Sequence, residues 1–183
     1  MLGIDAAWTA HNPSGVAMAV GTAEGWRVEA AASSYAQFGV KHGPGMEGEL
    51  MRVVEKTARC RLSLVTVDMP LSRHPITGRR VSDRKVSSAY GSRKCATHSP
   101  DALRPGKISD SLRAEFEALG FPLLTQSVSS PGLAEVYPHP ALVELTGANE
   151  RLKYKVSRAG SYWKQEKPSP EERRNRIITE WRR

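Results

Sequence analysis

The chain is short of cysteine, short of aromatics, and has no long apolar run. Only Cys60 and Cys95 occur, with no CxxC spacing, so no zinc site or disulfide framework is expected and both read as free thiols. No apolar stretch approaches the roughly 18 residues of a membrane helix, so no bilayer span is expected. The start, MLGIDAAW, lacks the basic beginning, apolar core and cleavage site of a secretory signal, which makes the cytoplasm the expected compartment. HExxH and HxH spacings are also missing, and His74, His98 and His139 stand alone beside proline or serine, which predicts structural or surface roles. Tyr35, Tyr90, Tyr137, Tyr154, Tyr162 and Trp163 form no stacking series for single strands, so nothing distinguishes DNA from RNA.

What is present is an ordinary globular composition, 39% apolar and 25% charged, in a length that supports one domain with a proper core. A single domain over residues 1–183 is expected. The formal charge of +8 points to a polyanionic partner, and its distribution sharpens this. Residues 72–107 hold nine Lys/Arg against two Asp, and residues 150–183 hold eleven against five Glu, while the remainder is net acidic.

Periodicity predicts an α/β order. Residues 2–6, Val16 to Val20 and Trp26 to Ala32, the last two separated by Gly21 and Gly25, read as a three-strand meander. A loop with Gly39, His42, Gly43, Pro44 and Gly45 leads to residues 46–60, where Leu50, Val54 and Ala58 repeat at helical spacing. Residues 62–67 form a short apolar run suited to a strand buried between helices, ending in Asp68. From Ser72 to Lys107 the period disappears, which predicts a long basic insertion without regular structure. Leu112, Phe116 and Leu119 mark a helix over residues 109–119, with Gly120 as its C-cap. Phe121 to Leu124 and Leu133 to Tyr137 are expected strands, and Pro140 to Leu145 a helix. Ser169, Pro170 and Glu172 form a capping box that opens a last helix near residue 170. That helix reaches Arg183 without a terminating Gly, Asn or Pro, which predicts further C-terminal residues in the natural protein.

Mixed sheets of this kind place ligands at the C-terminal ends of their strands, and Asp5 and Asp68 both fall there. Metal-assisted phosphodiester cleavage needs carboxylates converging on hard cations, and strand ends supply that convergence. An aspartate at a strand end also commonly caps a turn, so each is open to that reading. Glu135, at the edge of another expected strand, is either a third ligand or a surface glutamate. Arg79, Arg80, Asp83 and Arg84 crowd together and offer guanidiniums for phosphate oxygens, or else a solvated salt-bridged loop. Lys153 and Lys155 could neutralise phosphate or simply face solvent.

Taken in order, GIDAAW, VDMPLS, GRRVSDRKVSSAYG, EVYPHPALVEL and RLKYK resemble the family of predicted nucleases known as domain of unknown function 429, over most of the chain. The resemblance implies a ribonuclease-H-like fold, and it carries over to Asp5, Asp68, Arg80, Asp83 and Glu135. The chain departs from it in one place, having no late Asp-Ala motif on its last helix before Arg183.

The leading expectation is therefore a metal-dependent nuclease. Asp5, Asp68 and Glu135 would bind Mg²⁺ or Mn²⁺, and the basic segments would hold nucleic acid. A non-catalytic nucleic-acid-binding domain of the same fold is the alternative. A third reading comes from DAAWT, which resembles the DxGxT phosphate loop of actin-like kinases. There Ala7 replaces the glycine, and its side chain would hinder close approach of the backbone to phosphate. The sequence says nothing of oligomeric state.

Overall fold

The computed structural model describes every residue except Ala10, His42, Pro44 and Arg183. It contains two compact units: residues 1–81 with 98–137, and residues 82–97 with 138–183. His42 and Pro44 of the predicted glycine-rich loop lie outside the described residues.

Burial with a period of two organises the sheet of the first unit. In β1 (Leu2–Asp5) Leu2 and Ile4 are buried and Asp5 is exposed. A pleated strand turns successive side chains to opposite faces, so this alternation gives β1 a core side and an outer side. β2 (Gly15–Thr22) and β3 (Gly25–Ala32) continue from it as the predicted antiparallel meander, with Ile4 opposite Val16 and Met18 opposite Ala30. α1 (Met46–Ala58) then returns the chain to β4 (Leu64–Val67), which lies parallel to β1. After α2 (Val81–Tyr90) and α3 (Lys107–Ala118) the chain adds β5 (Leu123–Leu124) and β6 (Gly132–Glu135), parallel to each other, with β6 parallel to β4. The result is a six-stranded mixed sheet in the order β3-β2-β1-β4-β6-β5.

One face of that sheet meets two amphipathic helices. Leu2, Ile4, Val65, Val67 and Leu133 pack in one core with Leu50 and Val54 of α1 and Leu112 and Phe116 of α3. Each such side chain contributes about 1.5–3 kcal/mol by leaving water, so this layer dominates the stability of the unit. α3 stops where the sequence places its cap. Gly120 has φ +89°, Phe121 donates its N–H to the Phe116 carbonyl at 2.9 Å, and Gly120 donates to Glu117 at 3.0 Å. That is the bond pattern of a helix closed by a left-handed residue.

Residues 72–107 do not form the structureless insertion predicted from their lost periodicity, because α2 lies within them. Its inward side runs through Asp83, buried, and Val86, Ser87 and Tyr90, half-buried, a helical i, i+3, i+4, i+7 set. An aspartate and a serine occupy that stripe, so a search for apolar residues at helical spacing passes over it. Ser87 Oγ accepts the Thr97 N–H at 3.0 Å, and Thr97 Oγ1 donates to the Asp83 carbonyl at 3.1 Å, which folds the following segment back along the helix.

In the second unit α2 is accompanied by α4 (Pro138–Thr146), a 3₁₀ turn (Val156–Arg158), α5 (Ala159–Tyr162) and α6 (Pro170–Trp181). α4 starts two residues before the predicted Pro140; prolines at 138 and 140 fit a first helical turn, whose N–H groups have no helical partner. Arg93 joins the end of α2 to the end of α4. Its Nη2 donates to the Ala148 carbonyl at 2.7 Å and its Nε to the Asn149 carbonyl at 3.2 Å, and it pairs with Glu144. Ser169 caps α6 as predicted, its Oγ accepting the Glu172 N–H at 3.2 Å, with Pro170 in the first turn. Among the described residues no helix is long and apolar enough to cross a membrane.

Candidate active site at the strand ends

Asp5 and Asp68 are brought side by side by strand register. β1 and β4 pair Leu2 with Val65 and Ile4 with Val67. The Asp68 N–H then donates to the Ile4 carbonyl at 2.8 Å, which extends the ladder by one step beyond β4. Asp5 and Asp68 therefore occupy the same level of neighbouring parallel strands, on the face opposite Ile4 and Val67. Beyond Asp5 the chain leaves the sheet at once, with the Ala7 N–H donated to Ser14 Oγ at 3.0 Å. Gly15 stands opposite Asp5 across the β1–β2 pair, so no side chain rises beside the carboxylate there.

Glu135 is placed differently. Its register partner is Val67, which by the pleat turns it to the face opposite the two aspartates. Arg80 Nη1 donates to Glu135 Oε2 and Arg80 Nη2 to Glu135 Oε1, both at 2.6 Å. The Leu71 N–H donates to Oε2 at 2.9 Å, and Arg80 Nη1 also reaches the Leu71 carbonyl at 2.8 Å. A two-pronged guanidinium–carboxylate pair of this geometry is among the stronger hydrogen-bonded contacts available to a protein. It fastens the chain after β4 to the end of β6. The carboxylates read from the sequence as one cluster are thus an adjacent pair and a separate, ion-paired glutamate.

Among the described residues no group of three or more His, Cys, Asp or Glu could hold a metal ion. Mg²⁺ is commonly held by only one or two carboxylates, with water and phosphate oxygens completing its shell; the register places two carboxylate residues, Asp5 and Asp68, at one level of the sheet.

The basic candidates divide between the units. Arg79, exposed, and Arg80 belong to the first. Asp83, Arg84, Lys153 and Lys155 belong to the second: Asp83 is buried in α2, Arg84 is exposed on it, and the two lysines follow α4. Lys153 Nζ lies 5.9 Å from the centre of the Trp163 ring, and the Lys155 N–H donates to Tyr162 Oη at 3.2 Å. His139 is buried, with Nδ1 2.8 Å from Tyr154 Oη, while the His98 ring meets the Trp8 ring edge-on at 6.1 Å.

Sequence reasoning passed over a second acidic pair in the first unit. A cavity of about 540 Å³ is lined by residues that include Ala6 and Ala7 after β1, Tyr35 after β3, Met69 after Asp68, Glu47 of α1 and Glu115 of α3. Glu47 is only 3% exposed, and among the described residues its buried Oε2 has no hydrogen-bond partner. Burial, reinforced by the neighbouring Glu115 carboxyl, pushes its pKa up to about 8. Burial also raises the Tyr35 hydroxyl far above its usual range, and the two glutamates add to the effect. The signal was readable: Glu47 precedes Leu50 by three residues and Val54 by seven, which puts an acid on the apolar stripe of α1.

No curated protein and no solved structure matches the chain. A family model does, that of a protein of unknown function designated DUF429, over residues 3–181. Through a match of that extent, which takes in both strand-end aspartates, the Arg80–Glu135 pair and the acidic cavity, the chain belongs to the DUF429 family.

Proposed function

We propose that the rim formed by the ends of β1 and β4 is the active site of a metal-dependent nuclease, with Asp5 and Asp68 holding Mg²⁺ or Mn²⁺. The observation that carries this reading is the adjacency of the two aspartates, set by register and by the 2.8 Å bond from the Asp68 N–H to the Ile4 carbonyl. Support for a ribonuclease-H-like fold comes from the strand order, an antiparallel meander whose first strand is followed outward by parallel strands. When bound, such a cation supplies Lewis-acid stabilisation of charge developing on phosphoryl oxygens. Asp5 and Asp68 offer oxygen ligands to it, and Glu135 acts at one remove by holding Arg80 and the chain after β4 in place. The net charge of +8, concentrated in residues 72–107 and 150–183, supports nucleic acid as the partner. Cysteines limited to Cys60 and Cys95, both free thiols, support a reducing, cytoplasmic setting.

A specific observation favours a second reading, a non-catalytic nucleic-acid-binding domain. The third carboxylate expected at the rim is engaged with Arg80, which leaves fewer ligands than a two-metal site needs. Calorimetry with Mn²⁺ and Mg²⁺ on the chain and on Asp5→Ala, with single- and double-stranded DNA and RNA incubated alongside, separates the two. Metal binding and metal-dependent cleavage that both vanish in Asp5→Ala support the nuclease. Nucleic-acid binding that persists in the variant, with no cleavage by either protein, supports the binding domain.

A further inference from the structure

We propose that the cavity between α1, α3 and the loops after β1 and β3 binds a small organic cation with an apolar body, its charged nitrogen received by Glu47 and Glu115. At about 540 Å³ the cavity falls within the range of small-molecule sites. Its wall is largely apolar, through Ala6, Ala36, Met46, Met69, Ile108 and Leu112. Against that wall stands Glu47, 3% exposed, with an Oε2 that has no hydrogen-bond donor among the described residues.

A buried carboxylate is costly unless it is protonated or paired; a proton held with Glu115 is one remedy, and a ligand that brings N–H donors and positive charge together is the other. Glu115 supplies a second carboxyl from the facing helix, so a forked donor such as an amidinium has two acceptors. The other titratable groups on the lining are Tyr35, buried after β3, and the exposed His11 and Lys107. Among the described residues neither cation makes a hydrogen bond or ion pair with the glutamates. An anionic ligand would face two acids in a low-dielectric wall, whereas a cation turns their mutual repulsion into attraction. In the empty cavity the two carboxyls relieve that repulsion by holding a proton. Entry of the cation releases this proton to solvent, so binding is an exchange of one positive charge for another.

The test is titration calorimetry of the intact chain with benzamidine and benzylamine, with benzyl alcohol as the neutral analogue and phenylacetate as the anion, in two buffers of different ionisation heat. The expected result is binding of the two cations with release of about one proton, affinity rising from pH 6 to pH 8, and at least about tenfold weaker binding of the alcohol and the anion. Glu47→Gln and Glu115→Gln should each lose about tenfold in affinity together with the proton release, while Glu171→Gln, on exposed α6 surface, behaves as the parent. Equal binding of alcohol and amine, binding unchanged in both glutamine variants, or no binding of either cation by the folded chain would overturn the proposal. So would a proton released by Mg²⁺ alone and not by the amines. None of these results depends on Asp5 or Asp68, so this proposal and the nuclease reading stand or fall separately.

Discussion

Arg80 grips Glu135 through both guanidinium nitrogens, each 2.6 Å from a different carboxylate oxygen, and thereby joins residues 55 positions apart in the chain. The Leu71 backbone completes the arrangement by donating to the same carboxylate and accepting from the same arginine. Removing one partner leaves the other half-buried without its counterpart. Since the side chains are 16% and 32% exposed, the loss should be moderated by solvent. Glu135→Gln and Arg80→Ala should each destabilise the fold by about 1–3 kcal/mol, and the double variant by less than the sum. Urea unfolding of the four proteins measures this, and strict additivity would show that the pair contributes no coupling.

On the proposed nuclease reading, Asp5→Asn should leave stability within about 0.5 kcal/mol of the parent, because the side chain is exposed, yet abolish metal-dependent cleavage. Asp68→Asn should also abolish cleavage. The matched readouts are thermal unfolding and hydrolysis of labelled oligonucleotides with Mn²⁺. Cleavage that survives both substitutions would remove the strand-end pair from the chemistry.

Stability should fall as pH rises through about 8. The Glu47 carboxyl is held well above the 4.5 of an exposed glutamate, first by burial and then by Glu115, so between those values the folded chain keeps a proton that the unfolded chain has lost. Its contribution is fully present below the unfolded pKa and declines as pH climbs toward the folded one. Glu47→Gln should flatten this slope and raise stability at pH 8 by roughly 2 kcal/mol, the order of cost for an unsatisfied buried polar group. Denaturation midpoints at pH 5, 7 and 9 for parent and variant decide the point, and parallel curves would contradict it.

Residues 81–97 should behave as ordered structure rather than as a loose insertion. Ser87→Ala removes the acceptor of the Thr97 N–H and should cost about 1 kcal/mol. Hydrogen exchange should show the Thr97 amide protected in the parent and exposed in the variant. Fast exchange at Thr97 in the parent would return the segment to the status its composition suggests.

The elements legible in the sequence were those whose burial falls on aliphatic residues. Leu2 and Ile4, Leu50 and Val54, and Leu112 with Phe116 announce β1, α1 and α3 because one face of each is apolar and the other polar. Gly120 and Ser169 announced their caps because only particular residues satisfy a helix end at low cost. α2 stayed hidden, since Asp83 and Ser87 share its inward side with Val86 and Tyr90 and hydrogen bonds tie it to Thr97. The site was legible to the same degree: an aspartate closing each of two apolar runs could be seen without any structure.

Local sequence thus determined that Asp5 and Asp68 end strands, that the chain is basic in two stretches, and that its core is built from alternating and helical apolar patterns. Which carboxylates meet was left to tertiary structure. Strand register sets Asp5 beside Asp68 and turns Glu135 to the other face, because a shift of one residue reverses every side chain of a strand. Helix packing sets Glu47 against Glu115, 68 positions apart, because where two amphipathic stripes cross is decided by the shape of the whole core and by no single segment of the chain.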